Sequence, residues 1–153
     1  KVMGYANSYI CEEGTTIIGR KGTINSPMFI EEKFWNVDTA FGLHAKEHLD
    51  KRFLNYFCLN FDFTEMDRGS GRPSLVKSDL LQIEIPVPSL TTQIEIVQKL
   101  NDLQAQTRKL ETLYQKKIDA LDELKKSLLQ KAFEGELHND EATKLKIENE
   151  LPL

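Results

Sequence analysis

The chain has 153 residues, with 40% hydrophobic residues, 29% charged residues and a net charge of −4. Its length predicts a single domain, or one small domain with an appendage. No apolar run reaches the ~18 residues that a membrane span requires, and the first residues lack the charged-then-apolar layout of a signal peptide. The acidic balance argues weakly against a general nucleic-acid binder, although the residues from Gly135 onward carry most of it.

The cysteines and histidines predict neither a disulfide framework nor a metal site. Cys11 and Cys58 are too few for such a framework, and both have aromatic and aliphatic neighbours. We therefore expect buried free thiols in a reducing cytoplasm. His44 and His48 are four residues apart, but no third ligand accompanies them at the spacing of a metal site.

The first part of the chain predicts a small α+β domain with a mixed, mostly antiparallel sheet and short helices. Short β-branched and aromatic segments are separated by glycines and polar turns. The predicted strand segments are residues 9–11, 15–19, 23–24, 28–30, 34–37, 39–43 and 82–86. In residues 47–61, Leu49, Phe53 and Phe57 recur every four positions, which predicts an amphipathic helix. Residues 78–81 predict one further helical turn.

A long helix is predicted after the connector at residues 85–90 (IPVPSL), because roughly forty residues follow it without an internal Gly or Pro. Thr92 and Glu95 fit a capping box, and Ser89 is a rival cap one turn earlier. Gly135 ends the helix. At 1.5 Å per residue it spans about 65 Å, which is more than a small domain can cover.

The apolar stripe of this helix predicts a coiled-coil-like partner. With Leu100 at heptad position a, apolar residues recur at a and d, and the stripe drifts where Lys117 and Lys131 occupy d. A surface helix packed on its own domain is the alternative reading. The predicted helix–helix interface consists of Leu100, Leu103, Leu110, Tyr114, Ile118, Leu121, Leu124 and Leu128.

The sequence indicates a binding protein that is not a catalyst. It has no phosphate loop, no GxGxxG turn after a strand and no GxSxG elbow. Two loops carry chemistry suited to DNA, residues 19–23 (GRKGT) and 68–74 (RGSGRPS), because they combine cations and hydroxyls with glycines. Solvated surface loops often have the same composition. The candidate DNA-binding residues are Arg20, Lys21, Thr23, Arg68, Ser70, Arg72 and Lys77.

Several motifs in order resemble the target-recognition domain of a type I restriction–modification specificity subunit. They are residues 19–24, 36–41, 54–57, 69–75, 77–80 and 85–90, followed by Gln93. Residues 128–137 (LLQKAFEGEL) are similar to the end of the long C-terminal helix conserved in that family. The resemblance covers about residues 14 to 137.

The resemblance implies a DNA-recognition subunit with no catalytic activity and no cofactor of its own. Members of the family carry two recognition domains, each reading half of a bipartite DNA site. Two long antiparallel helices separate these domains, set their spacing and dock methyltransferase subunits. Restriction–translocase subunits complete the assembly, and S-adenosylmethionine and ATP belong to the partner subunits.

The expected organisation has three parts. Residues 1–88 form an N-terminally truncated recognition domain, residues 89–135 form the spacer and dimerisation helix, and residues 136–153 form an acidic, flexible tail. Because the helix lacks an intramolecular partner, we expect an antiparallel homodimer through residues 92–134. The competing hypothesis is a coiled-coil assembly adaptor whose globular part does not bind DNA by itself.

Overall fold

The computed structural model describes residues 4–136 and confirms an α+β fold with a long helix. It divides into two compact units, Lys1–Asp102 and Leu103–Leu153. The predicted domain limits at residues 88 and 135 stay a prediction, and all but the first residue of the predicted tail lies outside the described residues. Within the described part, no helix is long and apolar enough to cross a membrane.

The first unit is built on a three-stranded antiparallel sheet in the order β2-β1-β3. Strand β1 is Thr15–Gly19, β2 is Met28–Ile30 and β3 is Ala40–Leu43. The β-branched sequence TTII favours an extended central strand, and Thr15, Thr16 and Ile18 are fully buried there. In the register, Thr16 opposes Phe29 on one side and Leu43 on the other.

Several predicted strand segments do not form strands. Cys11 and Phe34 make only an isolated antiparallel bridge, and the segments at 23–24 and 82–86 form no ladder. Residues 82–86 nevertheless alternate between exposed and half-buried side chains as predicted. The alternation shows which side chains of this segment face the core. It does not make the segment a strand, because no neighbouring strand pairs with Pro86 or the residues beside it.

Helix α1, Lys51–Asn60, confirms the amphipathic helix predicted within residues 47–61. It begins later than the apolar pattern because Asp50 is the N-cap and accepts hydrogen bonds from the amides of Arg52 and Phe53. The helix packs against the sheet. The buried core of the unit consists of Ile18, Ile24, Ala45, Leu54, Cys58, Phe63 and Leu75.

The two cysteines are free thiols, as predicted, but only one is fully buried. Cys58 lies in the core, and desolvation raises the pKa of its thiol to about 11. Cys11 is half-buried, contrary to expectation, because it lies at the isolated bridge outside the sheet. A thiol as deeply buried as Cys58 is chemically inert.

Helix α2 is Lys77–Leu80, which confirms the predicted helical turn with a shift of one residue. Helix α3, Leu90–Phe133, confirms the long helix. Its cap is Ser89, whose hydroxyl accepts from the Thr92 amide, so the predicted capping box at Thr92 is wrong and the rival cap is right. After the last turn, Gly135 adopts a φ of 78°, a left-handed conformation that favours glycine.

Gln93 joins the start of α3 to the remainder of the first unit. Its side chain is completely buried. The amide nitrogen donates to the carbonyl oxygens of His48 at 2.9 Å and Pro88 at 2.7 Å, and its oxygen accepts from the Asp50 amide at 2.7 Å. One side chain therefore holds three backbone groups from two separate segments. Tyr56, in α1, makes a further hydrogen bond to α3: its hydroxyl donates to the side-chain oxygen of Asn101 at 2.6 Å.

Replacing Gln93 with Leu is expected to lower the free energy of unfolding by about 1–3 kcal/mol, because buried backbone groups lose their partners. Urea unfolding followed by circular dichroism measures the change. Gln98→Leu is the control, since Gln98 lies on the same helix but is exposed. If both variants lost the same free energy of unfolding, the three hydrogen bonds of Gln93 would make no specific contribution to stability.

Candidate nucleic-acid interface

The first candidate loop, residues 19–23, leaves β1 through a tight turn that depends on glycine. A Cβ at Gly19 would collide with the carbonyl oxygen of Thr23. Gly22 has a φ of 85°, and a Cβ there would stand 2.9 Å from a guanidinium nitrogen of Arg72. Both glycines are therefore needed for the chain to turn closely and for Arg72 to lie over it.

The second candidate loop, residues 68–74, is closed at its base. The Asp67 carboxylate accepts from the amides of Ser74 at 2.7 Å and Gly69 at 2.8 Å. These two bonds hold the pKa of Asp67 below its usual value. The Arg68 amide also donates to the Ser74 carbonyl at 2.9 Å. The second candidate loop thus has a hydrogen-bonded frame.

The structure brings the two candidate loops together through their backbones. Lys21 and Ser74 form an antiparallel bridge. The Gly22 amide donates to the Pro73 carbonyl at 2.8 Å, and the Leu75 amide donates to the Arg20 carbonyl at 2.9 Å. We call residues 19–23 and 68–74, joined in this way, the loop pair. Residues far apart in the sequence therefore share one surface.

Two of the candidate cations lie around a shallow cavity. The cavity has a volume of about 350 Å³ and is lined by Arg20, Phe41, Ser74, Leu75, Val76 and Lys77. The Arg20 guanidinium lies 5.8 Å from the centre of the Phe41 ring and donates to the Asp38 carbonyl at 3.2 Å. These contacts hold Arg20 in place while it remains exposed.

Arg68 differs from the other cations because it has an acidic partner. Its Nε atom lies 2.9 Å from Oδ2 of Asp79 in α2. This contact raises the pKa of Arg68 further. Among the described residues, no ion pair involves Arg20, Lys21, Arg72 or Lys77. Four cations of this surface are thus available to an external anion.

All seven candidate DNA-binding side chains are exposed, so the geometry permits contact with a large polyanion. Arg72 and Gly22 lie together, and Arg20 and Lys77 share the cavity, whereas no side-chain hydrogen bond is found for Thr23 or Ser70 among residues 4–136. The arrangement offers guanidinium, ammonium and hydroxyl donors on one surface. Such donors bind phosphates and guanine edges.

The predicted helix interface is also exposed. Leu103 is 58% exposed, Leu121 64% and Leu124 54%, and Leu100 alone among the eight candidates is half-buried. Leu113 and Leu129, outside the predicted set, are exposed as well. The described residues leave this apolar stripe uncovered along α3.

Sequence reasoning missed two acidic residues that flank the loop pair. Asp67 could have been found, because Asp followed two positions later by Gly is a signal for a side-chain-closed turn. Asp79 carries no such local signal, since its partner Arg68 lies eleven positions away. Gln93 stood within a recognised motif, but its role depends on segments that meet only in the folded chain.

The chain combines a small α+β domain, which carries a polar, cationic loop surface, with a long helix. These features are typical of a binding protein. Residues 1–120 match the family described as the type I restriction modification DNA specificity domain. The chain therefore belongs to this family, and the resemblance seen in its motifs is confirmed.

Two curated relatives agree with this assignment. The chain is 33% identical over 110 residues to a type I restriction enzyme specificity subunit of Haemophilus influenzae, S.HindORF215P, a provisional assignment for that protein. It is 31% identical over 93 residues to the EcoDI specificity subunit of Escherichia coli. These matches cover 69% and 58% of this chain, but 29% and 21% of the relatives.

A solved structure of a type I R-M system, concerned with its complex assembly and conformational transition, contains a chain with the same fold. The TM-score is 0.75 with 23% sequence identity, and the match covers 86% of this chain and 33% of that one. At this identity the likeness extends to the fold alone.

Asp67→Ala is expected to open the second loop, because the Ser74 and Gly69 amides lose their acceptor. Amide hydrogen exchange at these two residues should become several-fold faster. Acidification of the unchanged protein should also open the second loop. The pKa of Asp67 is depressed, so its contribution is present above the ordinary value of about 3.9 and is lost as the pH falls through the lower folded value.

Ser70→Ala is the control for this loop, since the Ser70 side chain is exposed and the described residues give it no hydrogen bond. Unchanged exchange at Ser74 in Asp67→Ala would contradict the assigned role of the carboxylate.

Proposed function

We propose that this chain supplies DNA sequence recognition to a type I restriction–modification enzyme as part of its specificity subunit. The observation that carries the proposal is the loop pair, where exposed cations from distant parts of the sequence share one surface. Family membership supports the same function. The subunit catalyses nothing, and methylation, cleavage and translocation belong to partner subunits.

The loop pair suits double-stranded DNA because it offers both kinds of contact that such recognition requires. Lys21, Arg72 and Lys77 have no acidic partner among the described residues, so they are suited to neutralise phosphates. The net charge of −4 does not oppose this, because a local cationic surface determines the encounter. Arginine also reads guanine in the major groove.

The long helix α3 is proposed as a spacer and as a docking site for methyltransferase subunits. Its apolar stripe requires a partner, because exposed leucines recurring along one helix face mark an interaction surface. For this chain alone we propose that the partner is a second copy in antiparallel orientation. In that arrangement the two helices hold two recognition domains at a fixed separation.

Charge favours the antiparallel orientation. In a parallel, in-register pair, Lys117 and Lys131 at position d would each face their own copies and repel them. In an antiparallel pair in which d positions face a positions, Lys117 faces the partner's Leu121 instead. Glu111 and Lys125, both at position e, are equally distant from Ile118, so each faces the opposite charge in the other helix.

A coiled-coil adaptor that does not bind DNA by itself is the second candidate function. The exposed apolar stripe from Leu103 to Phe133 favours it, because that surface calls for a protein partner. Gel shifts with random-sequence duplex DNA, with and without a methyltransferase subunit, separate the two functions. Binding in either condition supports recognition, whereas no binding in both supports the adaptor.

Lys21→Ala combined with Arg72→Ala is expected to weaken DNA binding by the assembled complex and to reduce the salt slope by about two, since each lost phosphate contact removes about 0.9. Fluorescence anisotropy across a salt series measures both quantities. Lys33→Ala with Lys46→Ala is the charge-matched control, because these exposed lysines lie outside the loop pair. An unchanged salt slope in the variant with both Lys21→Ala and Arg72→Ala would refute the phosphate contacts assigned to these two residues.

Glu111→Lys and Lys125→Glu should each weaken the homodimer, because like charges then face each other. Combining both changes should restore it, since every facing pair becomes opposite again. Sedimentation at micromolar concentration measures the monomer–dimer equilibrium. Failure of the double variant to recover would refute this register, and a monomeric unchanged protein would refute the dimer itself.

A further inference from the structure

Asp79 and Arg68 form an unequal ion pair. The side chain of Asp79 is 25% exposed and belongs to α2, whereas that of Arg68 is 69% exposed and belongs to the second loop. The Asp79 amide donates to the Val76 carbonyl, so the backbone beneath the carboxylate is held. A partly buried acid on a helix thus restrains an exposed base.

The contact uses only one edge of the guanidinium. Asp79 accepts from Nε of Arg68 at 2.9 Å. Within residues 4–136, neither terminal nitrogen of Arg68 makes a hydrogen bond or ion pair. The two terminal nitrogens are the donors with which an arginine contacts O6 and N7 of guanine. Asp79 therefore occupies the edge that guanine recognition does not need.

The backbone of Arg68 is held in place as well. Its amide donates to the Ser74 carbonyl at 2.9 Å, and Asp67 fixes Ser74 through a bond of 2.7 Å. Arginine is long and flexible, and a guanidinium that is already oriented loses less freedom when it binds. The negative charge of Asp79 also disfavours a phosphate at the same position.

We infer that Asp79 is a positioning residue that orients Arg68 to read a guanine, which makes it a determinant of sequence specificity. The inference rests on the proposed function. It assigns different roles to four candidate cations in and beside the loop pair. Arg68, restrained by a carboxylate, contributes sequence discrimination, whereas Lys21, Arg72 and Lys77 contribute affinity for any duplex.

The test uses the full subunit assembled with its methyltransferase partner. Duplexes selected from a random pool are sequenced for the unchanged protein, Asp79→Asn and Arg68→Ala. Both variants should lose preference for guanine at the same single position, by about tenfold. Affinity of Asp79→Asn for non-specific duplex, and its salt slope, should be unchanged or larger, because Arg68 is released toward phosphates.

Glu84→Gln is the charge-matched control, because the Glu84 side chain is exposed and makes no hydrogen bond or ion pair among the described residues, and this variant should retain the full guanine preference. The double variant Asp79→Asn with Arg68→Ala should lose no more than Arg68→Ala alone. An unchanged preference in Asp79→Asn would overturn the inference, and so would a parallel fall in specific and non-specific affinity, which indicates loop damage. If the unchanged complex selects no sequence, the proposed function itself fails.

Discussion

The cationic loop surface depends on the pairing of two backbone segments. The bridge between Lys21 and Ser74 joins two loops that are separate in the sequence, and the neighbouring bonds from Gly22 to Pro73 and from Leu75 to Arg20 are main-chain bonds. Joined, each restricts the other, and glycine at position 22 leaves room for Arg72 to cross. The cations thus acquire fixed neighbours before any ligand arrives.

A second constraint acts where the domain meets the helix. Gln93 satisfies partly buried backbone groups of His48, Asp50 and Pro88. Apolar packing tolerates small slips, but three directed hydrogen bonds define a single arrangement. The start of α3 is therefore fixed to the domain by polar contacts as well as by the buried Val97.

The sequence predicted the fold class, the long helix and the two loops, because periodicity and glycine placement are local signals. It could not predict which strand segments would pair. Residues 82–86 alternate like a strand without forming one, since pairing depends on a free neighbouring edge. The sequence favoured a capping box at Thr92, whereas the structure has the rival cap at Ser89. The roles of Asp79 and Gln93 could not be predicted, because their partners are distant in the sequence. For the loop pair, the sequence indicated which residue types are present but not which residues lie next to them.

The bonds between the two loops have an evolutionary consequence. Since they use only main-chain atoms, the side chains at positions 20, 21, 70 and 72 take no part in the bonds that join the two loops. Substitution there can change the chemistry of the surface without removing those bonds, provided that Gly19, Gly22 and Asp67 remain. On the proposed function, a lineage under pressure to alter its target can thus explore new specificities while the two loops stay joined.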